Sequence, residues 1–236
     1  MLFRSEAVRS EHEASAQAYF ETKAANWDTI RALYVDEAEV EAAVLRAFER
    51  HTIGRLVDLG TGTGRMLQLL ADRYREGLGL DVNRAMLAYA RAKLERFGIL
   101  HAQVRQGDVY NIPLADGSAD AVVIHQILHY LADPARAIGE AARILAPGGR
   151  LVIVDFAPHD IEHLRDNHAH VRLGFEDAQM TSWLEAAGLE AGASRKLKPP
   201  AGKAEGRLVV SVWVADAPQG ARKSAPRPQT SLERVR

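Results

Sequence analysis

The stretch RLVDLGTGTG, Arg55 to Gly64, constrains this chain more than any other. A short apolar run ends in an acid and opens onto glycines at positions 60, 62 and 64. That is the pattern of a buried strand delivering its end to a ligand loop built from backbone. Glycine carries no Cβ, so such a loop turns tightly, takes positive φ and lets a ligand lie against bare peptide groups. The spacing narrows the ligand. A dinucleotide fingerprint puts glycine at its first, third and sixth positions, so that a pyrophosphate meets a helix N-terminus. The sixth position counted from Gly60 is Arg65. A phosphate-cradling Walker loop ends in Lys followed by Ser or Thr, and here Arg65 and Met66 follow Gly64. NAD, FAD and ATP are all disfavoured.

The rest of the chain alternates strand and helix. Gly77 to Asp81 reads as a second buried strand with a carboxylate at its end, where a doubly wound sheet gathers its ligands and an acid accepts ribose hydroxyls. Val104 to Pro113 carries Gly107-Asp108 at the end of a third strand. Asp108 is either a site acid or an exposed turn residue, since Gly-Asp pairs are common turn punctuation. Ala119 to Ile124 is a fourth strand and Arg150 to Phe156 a fifth. Between them Ile138, Ala141, Ala142 and Leu145 fall at helical spacing before Pro147-Gly148-Gly149. Met66, Leu69, Leu70 and Tyr74 make one helical face between the first two strands. Leu189 to Leu197 and Leu208 to Val214 are expected to close the sheet as an antiparallel hairpin. The prediction is an α/β fold: a doubly wound, mostly parallel seven-stranded sheet with helices on both faces and an N-terminal helical lid.

The lid rests on Phe20, Ala24, Trp27, Ile30, Leu33 and Tyr34, spaced by threes and fours. Asp36 with Glu39 forms a capping box for a further helix carrying Val40, Val44 and Phe48. The expected division is a lid over 1–50, the sheet domain over 51–216 and a disordered tail over 217–236. That tail is rich in proline, glycine and polar residues and cannot offset its ordering entropy by burial. Thirty basic against 31 acidic side chains leave a formal charge of −1, so no global field favours nucleic acid or an anionic membrane as partner. The opening MLFRSEAVRS lacks the apolar core of a signal peptide, and no apolar run approaches the ~20 residues a bilayer needs. Cysteine is absent, which removes disulfides, zinc-thiolate sites and thiol nucleophiles. A cytoplasmic location is the expectation.

The D-x-G-x-G-x-G loop at the end of the first strand resembles motif I of the Rossmann-like (class I) S-adenosylmethionine-dependent methyltransferases, and the resemblance covers about Thr52 to Ala215. It implies S-adenosylmethionine (AdoMet) as cofactor. Asp58, Gly60, Thr61, Gly62 and Gly64 would form its loop, Asp81 and Val82 meet the ribose, Asp108 and Val109 the adenine, and Gln126 the adenosine. Tyr19-Phe20 through Trp27-Asp28 resembles a segment of the ubiquinone- and menaquinone-biosynthesis type. It implies that Tyr19 and Trp27 cover the methionine half, unless these aromatics are simply helix-packing core.

Leu128-His129 through Asp133-Pro134 and the run His159 to Arg165 are similar to methyltransferase domains fused behind ArsR-type repressors. The roughly fifty residues before the first strand are too few for a winged helix-turn-helix plus a lid, so repressor function is not carried over. The function so implied is in-line transfer of the sulfonium methyl group to a small-molecule acceptor. The alternative is a non-catalytic module sensing AdoMet or S-adenosylhomocysteine. His129, His163 and His170 are the candidate catalytic residues, with a satisfied structural histidine as the competing reading, and Arg165 and Arg172 are candidates to meet a polar or anionic acceptor. His159 and His163, four apart, would share a helix face near Asp155 and Asp160, but with no fixed third ligand no metal is expected.

Overall fold

A computed structural model describes residues 20–24, 27, 36–199 and 208–220. Tyr19, most of the expected lid and residues 221–236 of the expected tail lie outside the described residues. Asp36 accepts a hydrogen bond from the Glu39 N–H and opens helix α1 (Glu37–Ala47), whose Val40 and Val44 are buried. The sheet follows: β1 (Ile53–Leu59), short helix α2 (Arg65–Leu69), β2 (Tyr74–Asp81), α3 (Arg84–Arg96), β3 (Ala102–Gln106), β4 (Ala119–His125), α4 (Pro134–Ile144) and β5 (Leu145–Phe156). Helices α5 (His163–His168) and α6 (Asp177–Ala186) precede β6 (Glu190–Ala191), β7 (Arg195–Leu197) and β8 (Val210–Asp216).

The strand order is β3-β2-β1-β4-β5-β8-β6, with β7 also paired to β8. Strands β1 to β5 run parallel, and β8 is antiparallel to β5, β6 and β7. Alternate residues feed opposite faces, as the pleat requires. Leu56, Val123, Val152 and Val154 join α1, α2 and α3 in one core, while Val57, Leu59, Ile124 and Ile153 join α4 and α6 in the other. Strands are added on one side of β1 up to β3 and on its other side from β4 onward, so the C-terminal ends of β1 and β4 open a crevice. Among the described residues no helix is long and apolar enough to cross a membrane.

Four expectations need correction. Among the described residues the sheet has eight strands, not seven. The stretch expected as one strand over Leu189–Leu197 splits because β6 and β7 pair with β8 one residue out of step, a bulge at Gly192-Ala193-Ser194. Tyr74 does not extend the helical face of Met66, Leu69 and Leu70. A 3₁₀ turn over Ala71–Arg73 ends that helix, and Tyr74 starts β2. Its ring folds back over Gly77, where a Cβ would lie 2.7 Å from it, and its hydroxyl donates to the Leu67 carbonyl at 2.9 Å. Lastly, β5 begins at Leu145 instead of Arg150, with Pro147-Gly148-Gly149 carried in an irregular ladder against β4.

Candidate functional site

The loop after β1 takes the shape its glycines permit, with Gly60, Gly62 and Gly64 at φ of 68°, 52° and 78°. Its amides are already engaged. Gly60 and Thr61 donate to the Leu80 carbonyl at 2.8 and 2.9 Å, and Gly64 donates to the Thr61 carbonyl. Gly62 donates to Oδ2 of Asp81 at 2.8 Å, and Asn83 donates to its Oδ1 at 2.8 Å. Thr61 donates its hydroxyl to buried Asp58 at 2.6 Å. A phosphate-binding loop aims free N–H groups at an anion. This one spends them on its own framework and sets carboxylates beside the space. Burial pushes the Asp81 carboxyl above its ordinary value, against the lowering pull of the backbone N–H groups of Asn83 and Gly62.

The crevice beyond β1 and β4 is a cleft of about 270 Å³. Among its lining residues are Asp58, Gly60, Thr61, Gly62, Asp81, Val82, Asp108, Val109, Gln126 and Trp27, which the sequence nominated. Gly64 is absent from the wall and serves as the cap of α2. Val82 stays 38% exposed, an apolar surface beside a carboxylate that suits a flat ring. Asp108 accepts from the Tyr110 N–H through Oδ1 at 2.8 Å in a tight turn, and it also lines the cleft. Gln126 sits at φ 53°, an uncommon conformation for a side chain of its size. It is 5% exposed, and its Nε2 has no hydrogen-bond partner. Held there by its N–H to the Val154 carbonyl at 2.7 Å, it offers a buried amide to whatever fills the cleft.

The sequence missed part of the wall. Met86, Ile127, Tyr130, Leu131 and Phe20 also line it. Phe20 meets Trp27 and Tyr130 edge-on, at 5.1 and 4.8 Å between ring centroids. Arg65, the residue that breaks the dinucleotide fingerprint, lines the cleft as well, and Nε and Nη2 donate to Glu41 of α1 at 2.6 Å each. Only its place after Gly64 pointed to it.

A methyltransferase domain family matches residues 57–153, which spans the loop, Asp81, Asp108 and Gln126. A demethylmenaquinone methyltransferase of Thermus thermophilus is 42% identical over 106 residues, 44% of this chain and 48% of that protein. A probable S-adenosylmethionine-dependent methyltransferase of Mycolicibacterium smegmatis is 32% identical over 177 residues, 69% of this chain and 66% of its own length. The chain belongs to the class I S-adenosylmethionine-dependent methyltransferases. The fold agrees. The YcgJ protein of Bacillus subtilis superposes with a TM-score of 0.67 at 19% identity, over 78% of this chain and 100% of its own. The chain thus spans about half to two thirds of the length of the curated relatives named here.

Within this methyltransferase domain the remaining candidates lie off the cleft. His129 is 1% exposed, with Nδ1 2.8 Å from Oδ1 of Asp155, and His170 packs against it at 4.2 Å between ring centroids. Burial, and then the proximity of His129, pushes the His170 imidazole down to about 2. His163 and Arg165 sit exposed on α5, and Arg165 is turned to Glu162 and the Val171 carbonyl. Arg172 donates to the Ala132 carbonyl at 2.9 Å. The expected helical pairing of His159 with His163 does not form. Pro158 precedes His159, whose N–H crosses to the Leu173 carbonyl, and α5 starts only at His163. Among the described residues no three His, Asp or Glu side chains are placed to hold a metal.

Proposed function

We propose that this chain uses AdoMet to methylate a small-molecule acceptor in line with the S–CH₃ bond. One observation carries the reading: the glycine loop keeps its N–H groups for its own framework and presents Asp58, Asp81 and Asp108 to the cleft. Such a lining opposes a pyrophosphate and favours a nucleoside bearing a positive centre. Asp81 would take the ribose hydroxyls and Asp108 the adenine amino group. Val82, Met86 and Val109 supply an apolar bed for the base, and the unpartnered amide of Gln126 a further polar contact. The group so held supplies an activated methyl on a sulfonium, leaving as a neutral thioether.

The protein's own task is placement and exclusion of water, since a methyl bound to sulfonium needs no covalent help from the enzyme. Phe20, Trp27 and Tyr130 form an aromatic edge to the cleft, and this supports the N-terminal segment as its cover. Tyr130, Ile127 and Leu131 give part of the cleft an apolar lining, which suits an apolar acceptor such as the demethylmenaquinone named for the Thermus relative. Arg165 and Arg172, turned to the Val171 and Ala132 carbonyls, give no support to an anionic one. No observation favours the sensing alternative. A cytoplasmic location belongs to this proposal and rests on the cysteine-free sequence.

Incubating the protein with methyl-labelled AdoMet and a metabolite extract tests the reading. Labelled product together with S-adenosylhomocysteine supports it. AdoMet binding with no transfer to any extract component rejects the enzyme, and no binding at all rejects the site.

A further inference from the structure

Behind the cleft wall lies a group of buried polar side chains that methyl transfer, as described above, does not use. Asp155, near the end of β5, is fully buried. Its Oδ1 accepts from the Phe156 N–H at 2.8 Å and lies 2.8 Å from Nδ1 of His129, and its Oδ2 accepts from the His129 N–H at 3.3 Å. One carboxylate thus grips both main chain and ring of His129, within the 3₁₀ turn Leu128–Tyr130. From the other side, the His129 carbonyl accepts from the N–H groups of Val171 and Arg172 at 2.9 and 3.1 Å. A buried carboxylate is tolerated only when held in this way, and a residue tied at ring, N–H and C=O has little freedom to move.

His129 is in turn the support of Tyr130. Their ring centroids are 3.9 Å apart, and His170 meets Tyr130 edge-on at 5.3 Å. Tyr130 lines the cleft and carries Phe20 on its far side. A continuous run of contacts therefore leads from β5 through His129 and Tyr130 to the aromatic edge. The rings of His129 and His170 lie 39° from parallel with their centroids 4.2 Å apart.

We propose that the buried Asp155–His129 pair is a positioning unit for Tyr130, fixing the wall that the methyl acceptor meets and acting on transfer, not on cofactor binding. This rests on the methyltransferase reading above. The physical lever is alignment: a shift of about 1 Å in a positioned partner can cost on the order of a hundredfold in rate. The titratable groups around His129 are Asp155 from β5, His159 and His170 from the segment after β5, and Tyr130 on its own turn, with Arg165 bearing on His159 and His170. Burial holds His159 and His170 toward the neutral form.

The test uses the full chain labelled with 3-fluorotyrosine, with the Tyr130 fluorine signal assigned as the one lost in Tyr130→Phe. His129→Asn, which keeps an N–H donor where Nδ1 stood, should hold the signal near its position. His129→Leu should displace or broaden it. In both variants the S-adenosylhomocysteine Kd should stay within about twofold, while label transfer into a metabolite extract falls at least about tenfold in His129→Leu and is partly rescued in His129→Asn. If His129→Leu does not fold, Asp155→Asn takes its place with the same expectations. An unmoved Tyr130 signal in folded His129→Leu or in its Asp155→Asn replacement, or cofactor affinity falling in step with transfer, overturns the proposal. Wild type that binds S-adenosylhomocysteine yet transfers nothing rejects the methyltransferase reading alone, because the fluorine signal still reports the coupling.

Discussion

At the scale of single residues, Asp81 carries two duties at once. It ties the loop through Gly62 and opens α3 through Asn83, and it is the proposed ribose acid. Asp81→Ala should weaken S-adenosylhomocysteine binding by about 2–3 kcal/mol, measured by titration calorimetry, and also lower the thermal midpoint because two N–H groups lose their acceptor. Unchanged affinity would remove Asp81 from the site. Since burial raises its pKa, cofactor affinity should begin to fall at a higher pH than an ordinary aspartate allows. Gln126 makes a complementary case. Its φ of 53° costs roughly 1–2 kcal/mol in a residue with a Cβ. Gln126→Gly should therefore keep or raise the thermal midpoint while lowering cofactor affinity. A destabilised variant with intact affinity would show that the strained backbone serves the fold and not the ligand.

At the scale of elements, the segment joining β3 to β4 is stapled to α4 by one arginine. Arg143 donates to Glu140, to Asp116 and to the carbonyls of Ile112 and Leu114, while Glu140 accepts the Ile112 N–H. The hydrogen bonds from Arg143 hold the Glu140 carboxyl down to about 2. Because that lies below the ordinary 4.5, the stabilisation is complete above about 4.5 and is lost as pH falls through about 2. Urea midpoints of wild type and Glu140→Gln should differ modestly at neutral pH, by about 1 kcal/mol or less for a solvent-screened pair, and converge across that window. A constant gap would show that the carboxylate's charge is irrelevant. Elements also mark the boundary of what the sequence discloses. The loop after β1, Asp81 and Asp108 were legible because strand ends and glycine turns are written in consecutive residues. The bulge between β6 and β7, the Tyr74 ring over Gly77 and the grip of Asp155 on His129 were not. Each depends on partners brought together by packing, and the imidazole of His129 has the same chemistry whether it faces a substrate or a carboxylate. His159 and His163 show the converse error: their spacing fits a helix, but His159 precedes it, with its N–H on the Leu173 carbonyl, and α5 starts only at His163.

At the scale of the whole molecule, Arg150 joins layers that are far apart in the chain. Nε and Nη2 hold Asp216 of β8 at 2.7 and 2.8 Å, and Nη1 donates to the Ala47 carbonyl at the end of α1 at 2.7 Å. Arg150→Met should speed amide exchange in α1 by loosening that end while β1 and β4 keep their protection, as measured by native-state hydrogen exchange. Uniform acceleration would mean that α1 opens only with the entire domain. The sheet order has its own outcome for synthesis. Strand β8 is inserted between β5 and β6, so the ladder beside β5 has no partner until nearly the last described residues have been translated. During elongation the apolar edge of β5 therefore waits for its neighbour, and until β8 is made that edge is open to association with other chains.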